Sequence, residues 1–128
     1  MSPLAPPGTP IMLSLENMRA FLEEAAKRRR VVTYRDIASV LEVWPPNTIH
    51  QVTDTLERLM KEDAAEHRPF IAALAVSGTL GDLPRRGFFD CAGRLGRFDG
   101  DPEGQDARMY HAKELDAAFA YWGSAGER

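Results

Sequence analysis

The stretch Thr33–Arg68, TYRDIASVLEVWPPNTIHQVTDTLERLMKEDAAEHR, decides the fold of this chain. Thr33 and Asp36 have the spacing of a capping box, in which each side chain bonds to the backbone of the other residue. Apolar residues at helical spacing follow, and Pro45 restricts the residue before it to extended backbone. The first part of the stretch therefore predicts a short helix that ends near Val43 in a proline-marked turn.

The second part of the stretch predicts a longer helix that begins at Asn47 or Thr48. Its buried stripe consists of residues that recur every three or four positions, namely Ile49, Val52, Leu56, Leu59 and Met60. The continuous apolar run Phe70–Val76 has the length of a strand that is covered on both faces. This order predicts an α+β, mostly α domain: a small winged-helix-like fold with a helix-turn-helix, a short sheet and additional C-terminal helices.

The rest of the chain surrounds this unit as one domain. Residues 1–13 are proline-rich and predict a mobile tail, residues 14–123 form the domain, and residues 124–128 are expected to fray. Ser14 is placed to cap a first helix, Val31-Val32 is a candidate very short strand, and Gly96 is placed to stop a short helix. A last helix is expected from Ala107, with His111 or Ala112, Leu115, Ala118, Phe119 and Trp122 on one stripe.

Charge and cysteine content limit the classes of function. The chain has 16 Lys and Arg against 19 Asp and Glu, a formal net charge of −3, whereas most dedicated duplex binders are basic. Any nucleic-acid site must therefore be a local patch. The single cysteine, Cys91, excludes an internal disulfide and favours a cytoplasmic location. No apolar run approaches the roughly 20 residues that span a bilayer, so no membrane association is expected.

The segment Thr33-Tyr34-Arg35-Asp36-Ile37-Ala38 resembles the T-Y-x-[DE]-I-A motif that opens the helix-turn-helix of O6-alkylguanine-DNA alkyltransferases and alkyltransferase-like proteins. The likeness continues through the helix that contains His50–Leu56 and into Val76–Gly81, which is similar to the family's strand-to-G-x-L-G turn. It covers roughly Val31 to Leu95. The resemblance implies a DNA-binding domain in which Tyr34 matches the tyrosine that helps to turn out a damaged nucleotide.

The chemistry of that family does not carry over to this chain. His50 stands in place of the arginine that enters the base stack, and the bulkier Thr53 replaces a glycine. Phe70–Ala73 occupies the place of the Pro-Cys-His-Arg nucleophile motif. Alkyl transfer needs a thiolate activated by a neighbouring histidine, and Cys91 lies downstream beside Asp90, whose charge opposes thiolate formation. The sequence therefore excludes an alkyltransferase.

Other sequence patterns give little support to an enzyme, a metal site or a cofactor. His111 and Glu114 have the i, i+3 spacing of a metal pair, but an exposed polar helix edge explains them more simply. Glu62, Asp63 and Glu66 fit a solvated helix end. Ser77–Gly81 lacks the Gly-Lys-Ser/Thr ending of a phosphate loop. A non-enzymatic protein without a metal or a cofactor is the expectation.

Two hypotheses of function follow. In the first, the domain binds DNA through the helix that starts at Asn47, through the first turn of the preceding helix and through a basic edge after the strand. The residues of this predicted site are Thr33, Tyr34, Arg35, Asn47, Thr48, His50, Gln51, Arg58, Arg85 and Arg86, with Arg94 and Arg97 as further members of the basic edge. The polar start Asn47–Gln51 favours this hypothesis, because it follows the turn where a recognition helix should begin.

In the second hypothesis, the same fold is a protein-interaction module or adaptor. Its candidate contact points are the proline-rich tail, Trp44 beside Pro45-Pro46, and the segment from Phe119 to Trp122. Convergence of the arginines on one face with His50 and Gln51 would favour DNA. Arginines scattered among Glu and Asp would favour a protein partner.

Overall fold

The computed structural model describes residues 13–78 and 83–124 of the protein. These residues form five helices, α1 (Leu15–Lys27), α2 (Tyr34–Val40), α3 (Thr48–Ala65), α4 (Arg86–Arg94) and α5 (Gln105–Gly123), together with a 3-10 turn (Ile71–Leu74). Two short strands, β1 (Val32–Thr33) and β2 (Ala75–Val76), pair in parallel, with Val32 opposite Ala75 and Thr33 opposite Val76. The fold is therefore α+β and mostly helical, as predicted.

Some predicted features lie outside the described residues. The proline-rich tail and the C-terminal end fall there except for Leu13 and Ser124, and so do Leu80 and Gly81 of the turn after β2. Leu13 is half-buried against the core. Within residues 13–78 and 83–124 there is no antiparallel hairpin of the kind that forms a wing.

Local hydrogen bonds explain where α1 and α2 begin. The Ser14 hydroxyl accepts a bond from the Asn17 N–H at 3.0 Å. The Thr33 hydroxyl accepts from the Asp36 N–H at 3.0 Å, while the Asp36 carboxylate accepts from the Thr33 N–H at 3.2 Å. Both predicted caps are confirmed, and the capping box fixes the end of β1 to the start of α2.

Helix α2 ends earlier than the sequence predicts, at Val40 and not near Val43. Glu42 adopts a left-handed backbone with φ of 50°, and the Val43 N–H bonds to the Ala38 carbonyl at 2.9 Å. This arrangement is a Schellman motif, which ends the helix several residues before Pro45. Helices α1, α3 and α4 end in the same way at Arg29, His67 and Gly96.

These helix ends give a prediction for stability. A left-handed backbone raises the free energy of the folded state by on the order of 1 kcal/mol at a residue with a Cβ, but not at glycine. We expect His67→Gly, at an exposed position with φ of 56°, to raise the free energy of unfolding by about 0.5–1 kcal/mol. The reverse change, Gly96→Ala, should lower the free energy of unfolding by a similar amount. A Cβ there meets no atom within 4 Å, so the cost comes from the left-handed backbone alone and not from a clash. Urea unfolding of both variants would measure this, and shifts of the same sign would contradict the explanation.

The predicted strand Phe70–Val76 is wrong over most of its length, because Ile71–Leu74 is a 3-10 turn and only Ala75–Val76 is extended. Side chains supply the partners that a neighbouring strand would otherwise provide. Phe70 N–H donates to Glu114 Oε2 at 2.7 Å, and Ile71 N–H donates to Asp63 Oδ2 at 3.0 Å. The apolar run is nevertheless buried throughout, as its composition indicates.

An ion cluster at the end of α3 joins three parts of the fold. The Asp63 carboxylate is fully buried and contacts Arg19 of α1 at 2.9 Å and Arg68 at 2.8 Å. Both guanidinium groups also lie over the indole ring of Trp122, at 4.9 and 5.1 Å from its centre. The prediction of a solvated helix end is therefore wrong for Asp63, which links α1 and α3 to the 3-10 turn, while its two arginine partners contact α5.

Candidate nucleic-acid interface

A surface cleft of about 350 Å³ opens where β1 passes into α2. Because the two strands are parallel, the chain leaves both of them at the same edge, and the residues that follow lie side by side. The cleft is lined by Thr33, Tyr34 and Arg35 after β1, Ser77 and Gly78 after β2, Ile49 from the first turn of α3, and Arg85. It brings together four members of the predicted site: Thr33, Tyr34, Arg35 and Arg85.

The cleft carries two positive charges, on Arg35 and Arg85, that no carboxylate in the described part of the chain neutralises. Arg35 and Arg85 are exposed, and neither guanidinium forms an ion pair with any carboxylate in residues 13–78 and 83–124. Asp36, which follows Arg35 in the sequence, is held by the capping box and does not line the cleft. Guanidinium groups bind phosphate oxygens strongly, so the cleft suits an anionic group.

Tyr34 holds Arg85 in place at the cleft. The phenol is buried, and its oxygen accepts a hydrogen bond from the Arg85 backbone N–H at 2.7 Å. Burial raises the pKa of Tyr34 to about 12, against the smaller opposing effects of that hydrogen bond and of the Arg85 charge. A second cavity, of about 90 Å³, shares both residues with the cleft. The structure therefore gives Tyr34 a structural contact beside the cleft.

The start of α3 is exposed on one side. Asn47 is the residue before the helix, with a left-handed backbone at φ of 60° and no side-chain capping bond. Thr48 and Ile49 are half-buried, and His50 is exposed. Polar groups at Asn47 and His50 are therefore available to a ligand at the end of the helix nearest the cleft.

Gln51 is engaged within the protein. Its side-chain nitrogen donates to the backbone carbonyls of Trp44 at 2.8 Å and Pro46 at 2.9 Å, so the amide holds the turn between α2 and α3. Arg58 lies seven residues, or about two turns, after Gln51 and therefore on the same side of α3. Ile49 lies nine residues before Arg58 and about 180° away. Arg58 is thus on the opposite side of α3 from the cleft.

The predicted basic edge after β2 is largely neutralised. Arg86 contacts Glu103 at 2.8 Å and Asp90 at 3.6 Å, Arg94 contacts Glu57 at 3.4 Å, and Arg97 contacts Glu114 at 2.9 Å. At the end of α1, Arg29 lies 5.0 Å from the centre of the Phe119 ring. The predicted basic edge is therefore not a free positive surface, and the arginines of the predicted site that line the cleft are Arg35 and Arg85.

The residues considered for chemistry have structural contacts. His111 is buried and bonds to the Ala73 carbonyl at 2.9 Å, so the prediction of an exposed polar edge is wrong for it. Burial lowers the pKa of His111, and burial together with the charge of Glu57 raises the pKa of the Cys91 thiol. Within residues 13–78 and 83–124, no three His, Cys, Asp or Glu side chains converge to hold a metal ion.

Sequence reasoning missed Ser77, Gly78 and Ile49 as cleft residues. Ser77 and Gly78 were considered only as a phosphate loop, and their position beside Thr33 depends on the parallel pairing of β1 with β2. The signal that could have placed them is the pair of short apolar segments, Val31-Val32 and Ala75-Val76, each followed by a hydroxyl residue. Ile49 was assigned to the buried stripe, and it does pack partly against the core.

Comparison of the chain with protein-family models, curated proteins and solved structures finds no match. The likeness to the alkyltransferases therefore rests on the short motifs alone. None of the helices in the described part of the chain is both long enough and apolar enough to cross a membrane.

Proposed function

We propose that this protein binds DNA without catalysing a reaction, through the cleft and the first turns of α3. The observation that carries the proposal is the meeting of Arg35 and Arg85 in one cleft beside the start of α3, free of described carboxylates. A phosphate group in the cleft would contact both guanidinium groups. Phosphate contacts of this kind fix the register of a protein on DNA, and base contacts then specify the sequence.

The start of α3 would supply the base contacts. Asn47 and His50 project from the end of α3 that adjoins the cleft, and an asparagine amide can bond to an adenine edge. Asp54 is exposed one turn after His50 and would repel phosphate. The contact is therefore confined to the part of α3 before Asp54. In this proposal α2 and α3 act as a helix-turn-helix of the winged-helix type, which agrees with the motif resemblance at Thr33–Ala38.

Salt dependence tests the proposal directly. We expect the protein to bind DNA weakly and with an affinity that falls steeply with salt, because each neutralised phosphate contributes about −0.9 to the slope of log affinity against log salt on duplex DNA. Fluorescence anisotropy with labelled duplex and single-stranded DNA at low and near-physiological salt would measure this. Absence of salt-sensitive binding even at low salt would remove the proposal.

A protein-interaction module is the second candidate function. Two observations favour it: five of the ten described arginines outside the cleft are paired with carboxylates, and Trp44 is exposed. In its other predicted contact segment, Trp122 is buried and Phe119 is half-buried beneath Arg29, whereas Tyr121 is exposed. The two functions would be separated by the binding of a protein partner. A partner that competes with DNA would share the proposed DNA site, and a partner that binds protein unable to bind DNA would support the interaction module.

A further inference from the structure

The indole of Trp44 is exposed to an unusual degree. Its relative exposure is 72%, whereas that of Trp122, the other tryptophan, is 5%. Large aromatic side chains are on average well buried, because exposure forgoes the gain from removing their surface from water. No aromatic ring or cation of the described residues packs on Trp44. Its ring is therefore available to a ligand.

The backbone that carries Trp44 is held in place. The Gln51 side-chain nitrogen donates to the backbone carbonyls of Trp44 and Pro46, and two successive prolines restrict the turn. A fixed backbone lowers the entropy cost of placing the ring against a ligand. The turn therefore fixes the backbone from which the indole projects.

Trp44 and the cleft lie on different sides of the same end of α3. The turn that carries Trp44 is bonded to Gln51, while Ile49, about 200° away around the helix, lines the cleft. A helix with its side chains is about 10–12 Å wide. A nucleic-acid strand that crosses this end of α3 would reach from the cleft to the indole in about three or four nucleotides at roughly 3.4 Å per stacked step.

We propose that Trp44 stacks on an unpaired base, and that the preferred ligand is single-stranded DNA or a duplex with a single-stranded extension. This inference rests on the proposed function, because Arg35 and Arg85 hold the phosphate from which the strand continues. Base–aromatic stacking needs an unpaired base and tolerates any sequence. Glu42, exposed on the same turn, disfavours a phosphate beside the indole but not a base.

The surroundings of Trp44 suit a base better than a protein surface. Among the described residues near this turn, Val40 is the one other large hydrophobic side chain that is exposed, with a relative exposure of 42%. A stable protein interface covers about 800 Å² on each partner and has an apolar centre. With the exposed rings of Pro45 and Pro46, Val40 and Trp44 form a patch of four residues flanked by exposed Ser39, Glu42 and Asn47, which is smaller than the roughly 20 to 30 residues that a partner typically contributes to such an interface.

The test compares three ligands: a blunt duplex, the same duplex with an extension of about four nucleotides, and the extension strand alone. We expect Trp44→Ala to weaken binding of the two ligands with unpaired bases by about 5- to 150-fold, the range of one base–aromatic stack, and to leave the blunt duplex unchanged. Trp44→Phe should retain part of the affinity. Met109→Ala, at another exposed apolar side chain, is the matched control and should change nothing.

Tryptophan fluorescence provides a second measurement. Stacking should quench the emission of wild-type protein, and the quenching should disappear in Trp44→Phe, since the remaining Trp122 is buried. Salt-sensitive DNA binding without quenching and without an effect of Trp44→Ala would overturn this inference and leave the proposed function standing. Equal weakening of all three ligands would also overturn it. If Trp44→Ala leaves the DNA affinity unchanged but abolishes binding of a protein partner, Trp44 belongs to a protein interface. If the wild-type protein does not bind DNA at all, both proposals are removed.

Discussion

Replacing Arg35 and Arg85 together with alanine is expected to lower the affinity for DNA about 100-fold at low salt. Each change removes one charge-assisted contact with phosphate, which corresponds to roughly tenfold, or about 1.4 kcal/mol. The slope of log affinity against log salt should become shallower by about 1.4–1.8, the value for two phosphate contacts on single-stranded or duplex DNA. Anisotropy titrations over a series of salt concentrations would measure both quantities.

The matched control is the double replacement of Arg86 and Arg94 with alanine. It removes the same number of positive charges, two, from a protein whose formal net charge is −3. Arg86 and Arg94 are also exposed, but they are already paired with Glu103 and Glu57. A change of a few-fold at most is expected for the control. Equal losses in the two double variants would show that total charge, and not the cleft, governs binding.

The folded state should survive the test at the cleft. Tyr34 bonds to the backbone N–H of Arg85, and alanine retains that N–H. Arg35 is exposed on α2, where alanine is a favourable residue. Unchanged circular dichroism and unfolding midpoints would therefore accompany the loss of binding.

Asp63→Ala is expected to have the largest effect on stability, lowering the free energy of unfolding by about 3–5 kcal/mol. The change leaves the Arg19 and Arg68 guanidinium groups without their shared carboxylate and the Ile71 N–H without its acceptor. A domain of this size typically has a total of only about 5–15 kcal/mol. The variant should therefore be partly unfolded near physiological temperature, and urea unfolding followed by circular dichroism would measure the loss.

Glu62→Gln is the control for this prediction. Glu62 also contacts Arg19, at 2.9 Å, but its side chain is 45% exposed and water screens the pair. Exposed ion pairs contribute about 0–1 kcal/mol, so a small effect is expected. Similar losses at Glu62 and Asp63 would contradict the role assigned to burial.

The sequence predicted those parts of the fold that depend on nearby residues. Ser14 and the pair Thr33 and Asp36 were identified as caps because their partners lie three residues away. Gly96 was identified as a helix end because glycine favours a left-handed backbone. The similar ends at Glu42 and His67 carry no such residue and were not found.

The errors arose where partners are distant in sequence. Phe70–Val76 was predicted to be a strand because its apolar composition cannot show that Glu114 and Asp63 bond to its backbone. Asp63 was assigned to a solvated helix end together with Glu62 and Glu66, because the sequence does not show that Arg19 and Arg68 pair with its carboxylate.

The candidate site was predicted only in part, for a similar reason. Thr33, Arg35 and Arg85 were selected for their residue type, but their convergence depends on the pairing of β1 with β2. Gln51 was selected for its ability to bond to a base, whereas its amide binds the turn beside it. Residue chemistry identified candidates, and only the three-dimensional arrangement shows which of them bond within the protein and which line the cleft.

The burial of Asp63 has a consequence for dissecting this protein. A fragment that begins at Val31 would retain α2 and α3 but would lack Arg19, which supplies half of the positive charge around that carboxylate. The helix pair is therefore not an autonomous module. Any attempt to transplant it onto another scaffold must also carry α1, or replace Asp63 with an apolar residue of similar volume.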